Sequence, residues 1–210
     1  MKPREIEPKQ ERSRHTMHRL LSATEALLEH GGLEAATVPA IAKAAGLSVG
    51  VVYRRFPDKD MLLREVYLRF FETTIAQNRV QIQLAGEKDL SLERLARGMI
   101  RGIAQGYRRR RGLLRALNRY AETHPDPEFR RKAKRLNRAT MNSVAALLLS
   151  HRDEIKHPDP EMAIEFGLLA VIAVLHLAVL EEEGVEGIRM PDKLEEELVR
   201  LFFRYIGLKT

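Results

Sequence analysis

The stretch TVPAIAKAAGLSVGVVYRRFPDKDMLLREVY, from Thr37 to Tyr67, decides how the chain is read. Thr37 carries a side-chain acceptor just ahead of an apolar-periodic run. It is therefore expected to cap a short helix reaching Ala45. Gly46-Leu47-Ser48 reads as a tight turn, and Ser48 is expected to cap the helix that follows. That helix should end at Phe56, because Pro57 disfavours a helical conformation in the residue before it. Ile41, Ala42 and Ala45 give the first helix an apolar face, and Leu47 plugs the turn. Val52 and Phe56 sit four apart and face inward together, which turns Gly50, Val51, Arg54 and Arg55 outward. Two short helices joined by a glycine-containing turn are the helix-turn-helix layout, whose second helix enters the DNA major groove. Val49, Val51 and Val52 are weak helix formers in a helix too short to hold itself, so its neighbours must hold it.

Lys59 is out of place by the same reasoning. It opens the helix capped by Asp58, where a cation meets the positive end of the helix dipole. A phosphate in front of that terminus reverses the sign, since the ammonium and the free N–H groups would then face one anion.

Outward from this stretch, helical periodicity continues and strand alternation is nearly absent. Met17, Leu20, Leu21, Thr24, Leu27 and Leu28 form one stripe, ended by Gly31-Gly32. The helix after Asp58 should run to about Leu84. Leu92, Leu95, Ala96, Met99, Ile100 and Ile103 form another stripe, and a shorter helix is expected from Leu113 to Glu122. Asp126-Pro127-Glu128 and Asp159-Pro160-Glu161 each combine a cap, a first-turn proline and a dipole-compatible acid. The second opens a very apolar helix to Glu183. Leu194, Leu198, Leu201, Phe202 and Tyr205 mark the last helix, which Gly207 stops. The fold class is all-α with about nine helices. Three segments follow: a flexible N-terminal arm over 1–11, a helix-turn-helix domain over 12–58, and a ligand-binding and dimerisation domain over 59–210.

The 210 residues are 44% hydrophobic and 31% charged, as in an ordinary folded protein. The absence of cysteine excludes disulfides, thiolate metal sites and a cysteine nucleophile. The net charge of +7 is unevenly placed: residues 94–138 carry +12 and residues 139–210 carry −6. A basic middle points to a polyanion or to pairing between segments. No apolar run follows Met1, so no secretory leader is expected. The apolar run Phe166 to Leu180 would span about 22 Å as a helix, short of a hydrocarbon core of about 30 Å. It reads as a buried helix, with no membrane partner and a cytoplasmic location.

The segment resembles the TetR family of tetracycline-repressor-like regulators. The resemblance rests on Ala42 and Gly46 in IAKAAGLS, on Gly50, Tyr53 and Phe56 in VGVVYRRF, and on Lys59 and Leu62 in DKDMLL. The first-helix leucines and Gly31 sit at matching distances, so the match covers about residues 12–67. The resemblance implies that Thr37, Tyr53 and Lys59 contact phosphates. Val49, Gly50, Val51, Arg54 and Arg55 would face bases or phosphates in the major groove, and Ser48 joins the same DNA-facing set. Val51 stands where the family often has threonine; an apolar contact there suits a thymine methyl. The resemblance also implies a homodimer joined by the last two long helices and a pocket for an unknown small-molecule effector. Met99, Ile103, Leu117, Tyr120, Met141 and Phe166 are candidates to line it, each competing with an ordinary core role.

Other features read more simply. Arg108 to Arg111 is a solvated or acid-paired cluster before it is an anion site. Arg4, Lys9, Arg12 and Arg14 belong to the arm, and a minor-groove role is the less economical reading. His176 reads as a satisfied interior histidine. His151 and His157 are poorly spaced for a helical metal pair, so no metal is expected. No nucleophile–base or phosphate-loop motif is present, so neither an enzyme nor a cofactor is expected. The expected function is a ligand-responsive DNA-binding regulator, a repressor bound to a palindromic operator as a homodimer. The alternative is a nucleoid-structuring protein without a small ligand, using the basic 94–138 segment.

Overall fold

The computed structural model describes residues 7–86, 90–180 and 193–208, and every regular element among them is helical. The α-helices are α1 (Glu7–Ala35), α2 (Val38–Ala44), α3 (Val49–Arg55), α4 (Lys59–Gly86), α5 (Leu92–Arg109), α6 (Arg111–Thr123), α7 (Pro127–Leu149), α8 (Pro160–Leu175) and α9 (Leu194–Ile206). A 3₁₀ turn occupies Arg152–Glu154, and a π turn, His176–Leu180, extends α8.

The helix ends follow local chemistry. Gly32 breaks α1 with a φ of 66°, a conformation that costs glycine little. The Thr37 hydroxyl accepts from the Ala40 N–H at 3.3 Å, and the Asp58 carboxylate accepts from the Met61 N–H at 2.8 Å. Asp126 and Asp159 cap α7 and α8 through the N–H groups of Glu128 and Met162. Gly207 closes α9 in the left-handed region. Ser48 departs from expectation: it holds the N-cap station of α3, yet its side chain makes no cap hydrogen bond.

Cα packing divides the chain into two compact units, Met1–Phe70 with Gly112–Thr123, and Phe71–Arg111 with His124–Thr210. The first unit holds the first turns of α4 and nearly all of α6 together with the helix-turn-helix. The described part of the arm, residues 7–11, is already helical within α1, and residues 1–6, with Arg4, lie outside the described residues. In the first unit Leu20, Leu21 and Leu28 of α1, Ile41 of α2, Val52 of α3, Leu62, Val66 and Tyr67 of α4, and Leu113 and Leu117 of α6 are buried. Five of these, Leu20, Leu21, Leu28, Ile41 and Val52, stand at the helical spacings expected for α1, α2 and α3.

The second unit is built on α5, α7, α8 and α9, with α8 packed on both α7 and α9. A side chain at Gly167 would collide with the Phe202 ring at 2.7 Å, so glycine lets α8 and α9 approach closely. The apolar helix corrects one expectation. Ile164, Leu168, Val171 and Leu175 are buried, but Met162, Phe166, Leu169 and Leu177 are exposed. By length and composition Pro160–Ala178 could cross a membrane, and 33% of it is buried. It is thus a two-faced helix and not a wholly buried one. The end expected at Glu183 lies outside the described residues.

Candidate nucleic-acid interface

Within the first unit, α3 is held by its neighbours, as its composition demands. Val52 is 1% exposed and Phe56 6% exposed, so one side of the helix is anchored in the core. The turn before it is sealed from α1. The Arg19 guanidinium donates to the carbonyls of Ala45 and Gly46. Gly46 has a φ of 61°, and a Cβ there would meet the Arg19 guanidinium at 2.7 Å. The left-handed backbone therefore favours glycine at this position, while the close approach is only to the movable end of the Arg19 side chain. The turn's rigidity depends on a residue 26 positions earlier, which no local pattern announces.

The opposite side of α3 is open. Tyr53 is 53% exposed and Val49 38% exposed, and Ser48, Gly50 and Arg54 are exposed beside them, with Val51 at the margin. The Ser48 hydroxyl, uncommitted to a cap, keeps both its donor and its acceptor capacity. Arg54 has no hydrogen-bond or ion-pair partner among the described residues. The face therefore presents a hydroxyl, a phenol, a guanidinium, and a glycine that allows close backbone approach, with no acid on the helix. Such a face can donate to phosphate oxygens and to guanine acceptors.

Two of the expected cations are already engaged. The Arg55 guanidinium donates to the Ser13 carbonyl at 2.6 Å and to its hydroxyl at 2.7 Å, tying α3 to the start of α1. Lys59 donates to the Leu33 carbonyl at 2.7 Å. That bond accounts for a cation at the start of α4: its charge serves the carbonyl end of α1, where a cation is favoured. Thr37 is exposed and spends its oxygen on the α2 cap. Sequence reasoning placed these side chains at the interface but did not find their intramolecular partners.

The six expected pocket residues are shared between the two compact units. Leu117 and Tyr120 are buried in the first unit, on α6. The Tyr120 hydroxyl donates to the Asp60 carboxylate at 2.6 Å, and burial, with that hydrogen bond, pushes its pKa well above the usual phenol range. Phe166 is 51% exposed, on the outer face of α8 beside Tyr205 at a ring separation of 5.3 Å. Met99 and Ile103 of α5 and Met141 of α7 are half-buried in the second unit, where α5 packs against α7. Of the arginine run, Arg108 pairs with Glu195 at 2.8 Å. Among the described residues no group of three or more histidines and acids could hold a metal.

Comparison with known proteins meets this geometry at both ends. Residues 20–66 match the model of bacterial regulatory proteins of the tetR family, and residues 91–206 match a tetracyclin repressor-like C-terminal domain. The first match spans α2 and α3 together with the α1 and α4 segments that hold them. The chain is 46% identical over 54 residues to the HTH-type transcriptional repressor KstR of Rhodococcus jostii, a match covering 26% of each protein. It is 42% identical over 62 residues to the KstR repressor of Mycolicibacterium smegmatis, covering 30% of each. The chain thus aligns with less than a third of the length of these curated relatives. Among solved structures, a protein assigned to the TetR family from Mesorhizobium loti aligns with a TM-score of 0.68 at 24% identity, covering 93% of this chain and 95% of that one. A TetR regulator from Haloarcula marismortui aligns with a TM-score of 0.70 at 15% identity, covering 92% and 97%. These likenesses are of fold.

Proposed function

The chain belongs to the tetR family of bacterial regulatory proteins, and from that premise we propose that it is a ligand-responsive repressor that binds a palindromic operator as a homodimer, in the cytoplasm where the DNA lies. The observation that carries the reading is the division of α3 into an anchored side, Val52 and Phe56, and an exposed side, Val49, Gly50, Tyr53 and Arg54. A helix fixed on one side and bare on the other suits insertion into a major groove. Ser48 and Tyr53 are assigned to phosphates, Arg54 to a base edge, and Val49 and Val51 to apolar contact with a thymine methyl. Thr37, Arg55 and Lys59 support this face through the bonds described above, and each keeps donors for phosphate.

The second unit is assigned the dimer contact and the effector. The exposed row Met162, Phe166, Leu169 and Leu177 on α8 continues into Leu201 on α9. Burying that row against its symmetry mate explains an apolar face better than a membrane span does. Effector contacts are assigned first to Met99, Ile103 and Met141, the expected lining residues that are half-buried in the second unit. An effector that prefers one dimer state shifts the population away from the spacing that fits DNA.

Genome-wide mapping of bound DNA, followed by release with candidate metabolites, tests the reading. The expected result is a small set of palindromic sites, each lost on adding one class of ligand. Uniform coverage of the genome without site preference would overturn it.

A further inference from the structure

The N-terminal half of α7 carries a stripe of positive charge that neither the helix-turn-helix nor the effector reading uses. Arg131, Lys134, Arg135 and Arg138 are all exposed and stand at i, i+3, i+4 and i+7, so they share one helix face. The opposite face is the anchored one, with Phe129 4% and Ala133 2% exposed. Arg130 is turned away from the stripe and holds the carbonyls of His124 and Pro125. Lys132 flanks the stripe, and Glu128, in the first turn, is the one acid on the helix. None of the four has a hydrogen-bond or ion-pair partner among the described residues.

An ordinary solvated helix face mixes signs, because like charges three or four apart disfavour the helix. Here every such spacing within the stripe joins two cations. The stripe also belongs to the 94–138 segment, the most basic part of the chain. We propose that this face of α7 is a second DNA-contacting surface, binding backbone phosphates of duplex DNA without reading sequence. The occupant is argued from charge complementarity: the chain is a DNA-binding regulator, so duplex DNA is the polyanion it meets at high local concentration. Three of the four cations are arginines, which pair with phosphate through a planar fork. The inference rests on the chain being a DNA-binding regulator, and its test separates the two surfaces.

The full chain is titrated with a fluorescent mixed-sequence duplex several helical turns long, at increasing salt. Arg131→Gln/Lys134→Gln/Arg135→Gln/Arg138→Gln keeps good helix formers and removes the charge. Its slope of log affinity against log salt should be shallower than wild type by about 3–4 units, since each phosphate contact contributes about 0.9. On that slope a fourfold rise in salt costs the wild type about a hundredfold more affinity than the variant. Helix content should be retained. The double variant Arg131→Gln/Arg138→Gln should lose about half as much slope. A quadruple variant with the wild-type slope overturns the proposal. So does polyglutamate that binds the wild type as tightly as DNA at equal salt and is lost in the same proportion, which would assign the face to an acidic protein. A Tyr53→Ala/Arg54→Ala variant binding a mapped site like wild type would defeat the helix-turn-helix reading alone. The stripe would still show its own slope change in that background.

Discussion

Thr37 and Ser48 occupy the same station at the start of consecutive helices, and they differ by one hydrogen bond. Thr37 gives its oxygen to the Ala40 N–H; Ser48 makes no such bond. Thr37→Ala should therefore cost about 1 kcal/mol of stability, read as a lower urea midpoint. Ser48→Ala should leave that midpoint unchanged while weakening DNA binding, if its hydroxyl is kept for a phosphate. A lower midpoint for Ser48→Ala would show a cap in solution and remove that assignment. Lys59 is the mixed case. Losing its bond to the Leu33 carbonyl should cost about 1–2 kcal/mol. Any phosphate contact adds a flattening of the salt slope by about one unit, alike on all sequences. Arg54→Ala should behave differently, costing about 1–3 kcal/mol at one base pair of a mapped site and relaxing preference there. Competition binding against single-base variants of the site checks this; equal losses on every variant would assign Arg54 to the backbone. At this scale the inward pair Val52 and Phe56 was legible, because a four-residue spacing carries its own geometry. The engagements of Arg19, Arg55 and Lys59 were not, because their partners lie 26 to 42 residues away.

Among the elements, α6 shows most clearly what local pattern omits. Its start has no side-chain cap of its own; the Glu29 carboxylate of α1 accepts from the N–H groups of Gly112 and Leu113 at 3.1 and 3.0 Å. A Cβ at Gly112 would lie 1.9 Å from the Glu29 carbonyl oxygen, so Gly112→Ala must push α6 off α1. Overpacking of this kind costs about 1–3 kcal/mol, and a backbone atom gives way less readily than a side chain. Thermal melting should show the loss, and a wild-type melting temperature would mean that α6 is not seated on α1. Farther along, Tyr120 bonds to Asp60 of α4. Its pKa is raised, first by burial and then by that bond. The neutral phenol is the folded form, so its contribution is fully present below the unfolded pKa of about 10 and is lost as pH rises beyond it. Tyr120→Phe should therefore cost about 1 kcal/mol at neutral pH and lose less stability than wild type on going to alkaline pH. Denaturant melts at neutral and alkaline pH decide it, and parallel curves for the two proteins would deny Tyr120 this role. The aspartate–proline–glutamate openings of α7 and α8 could be read from sequence because cap, proline and acid act within one turn. The place of α6 beside the helix-turn-helix could not, since its buried stripe of Leu113, Ala116, Leu117 and Tyr120 says only that some partner covers it.

For the whole molecule, the informative feature is the double face of α8. Apolarity nearly all round the helix reads as burial in the sequence, and only the structure separates its two sides. Ile164, Leu168, Val171 and Leu175 point into the second unit, while Met162, Phe166, Leu169 and Leu177 lie about half a turn away and are exposed. Val174, half-buried between these faces, is a poorer reporter than either. Leu175→Asp would place an unpaired charge at a site 1% exposed and should unfold the unit. Leu169→Asp changes a residue 58% exposed in the single chain, so the protomer should keep its helix content and melt cooperatively. If that face meets its symmetry mate, the same substitution buries two like charges near one two-fold axis and should yield monomers. A monomer holds one recognition helix and loses the gain from binding both half-sites at once, which is on the order of a hundredfold or more for linked sites. Sedimentation and operator titration of the two variants side by side read out the argument. A folded Leu169→Asp dimer with full operator affinity would place the interface elsewhere. Wild-type protein sedimenting as a monomer at micromolar concentration would leave the exposed face of α8 without its assigned partner, and would remove the reason to expect a palindromic site.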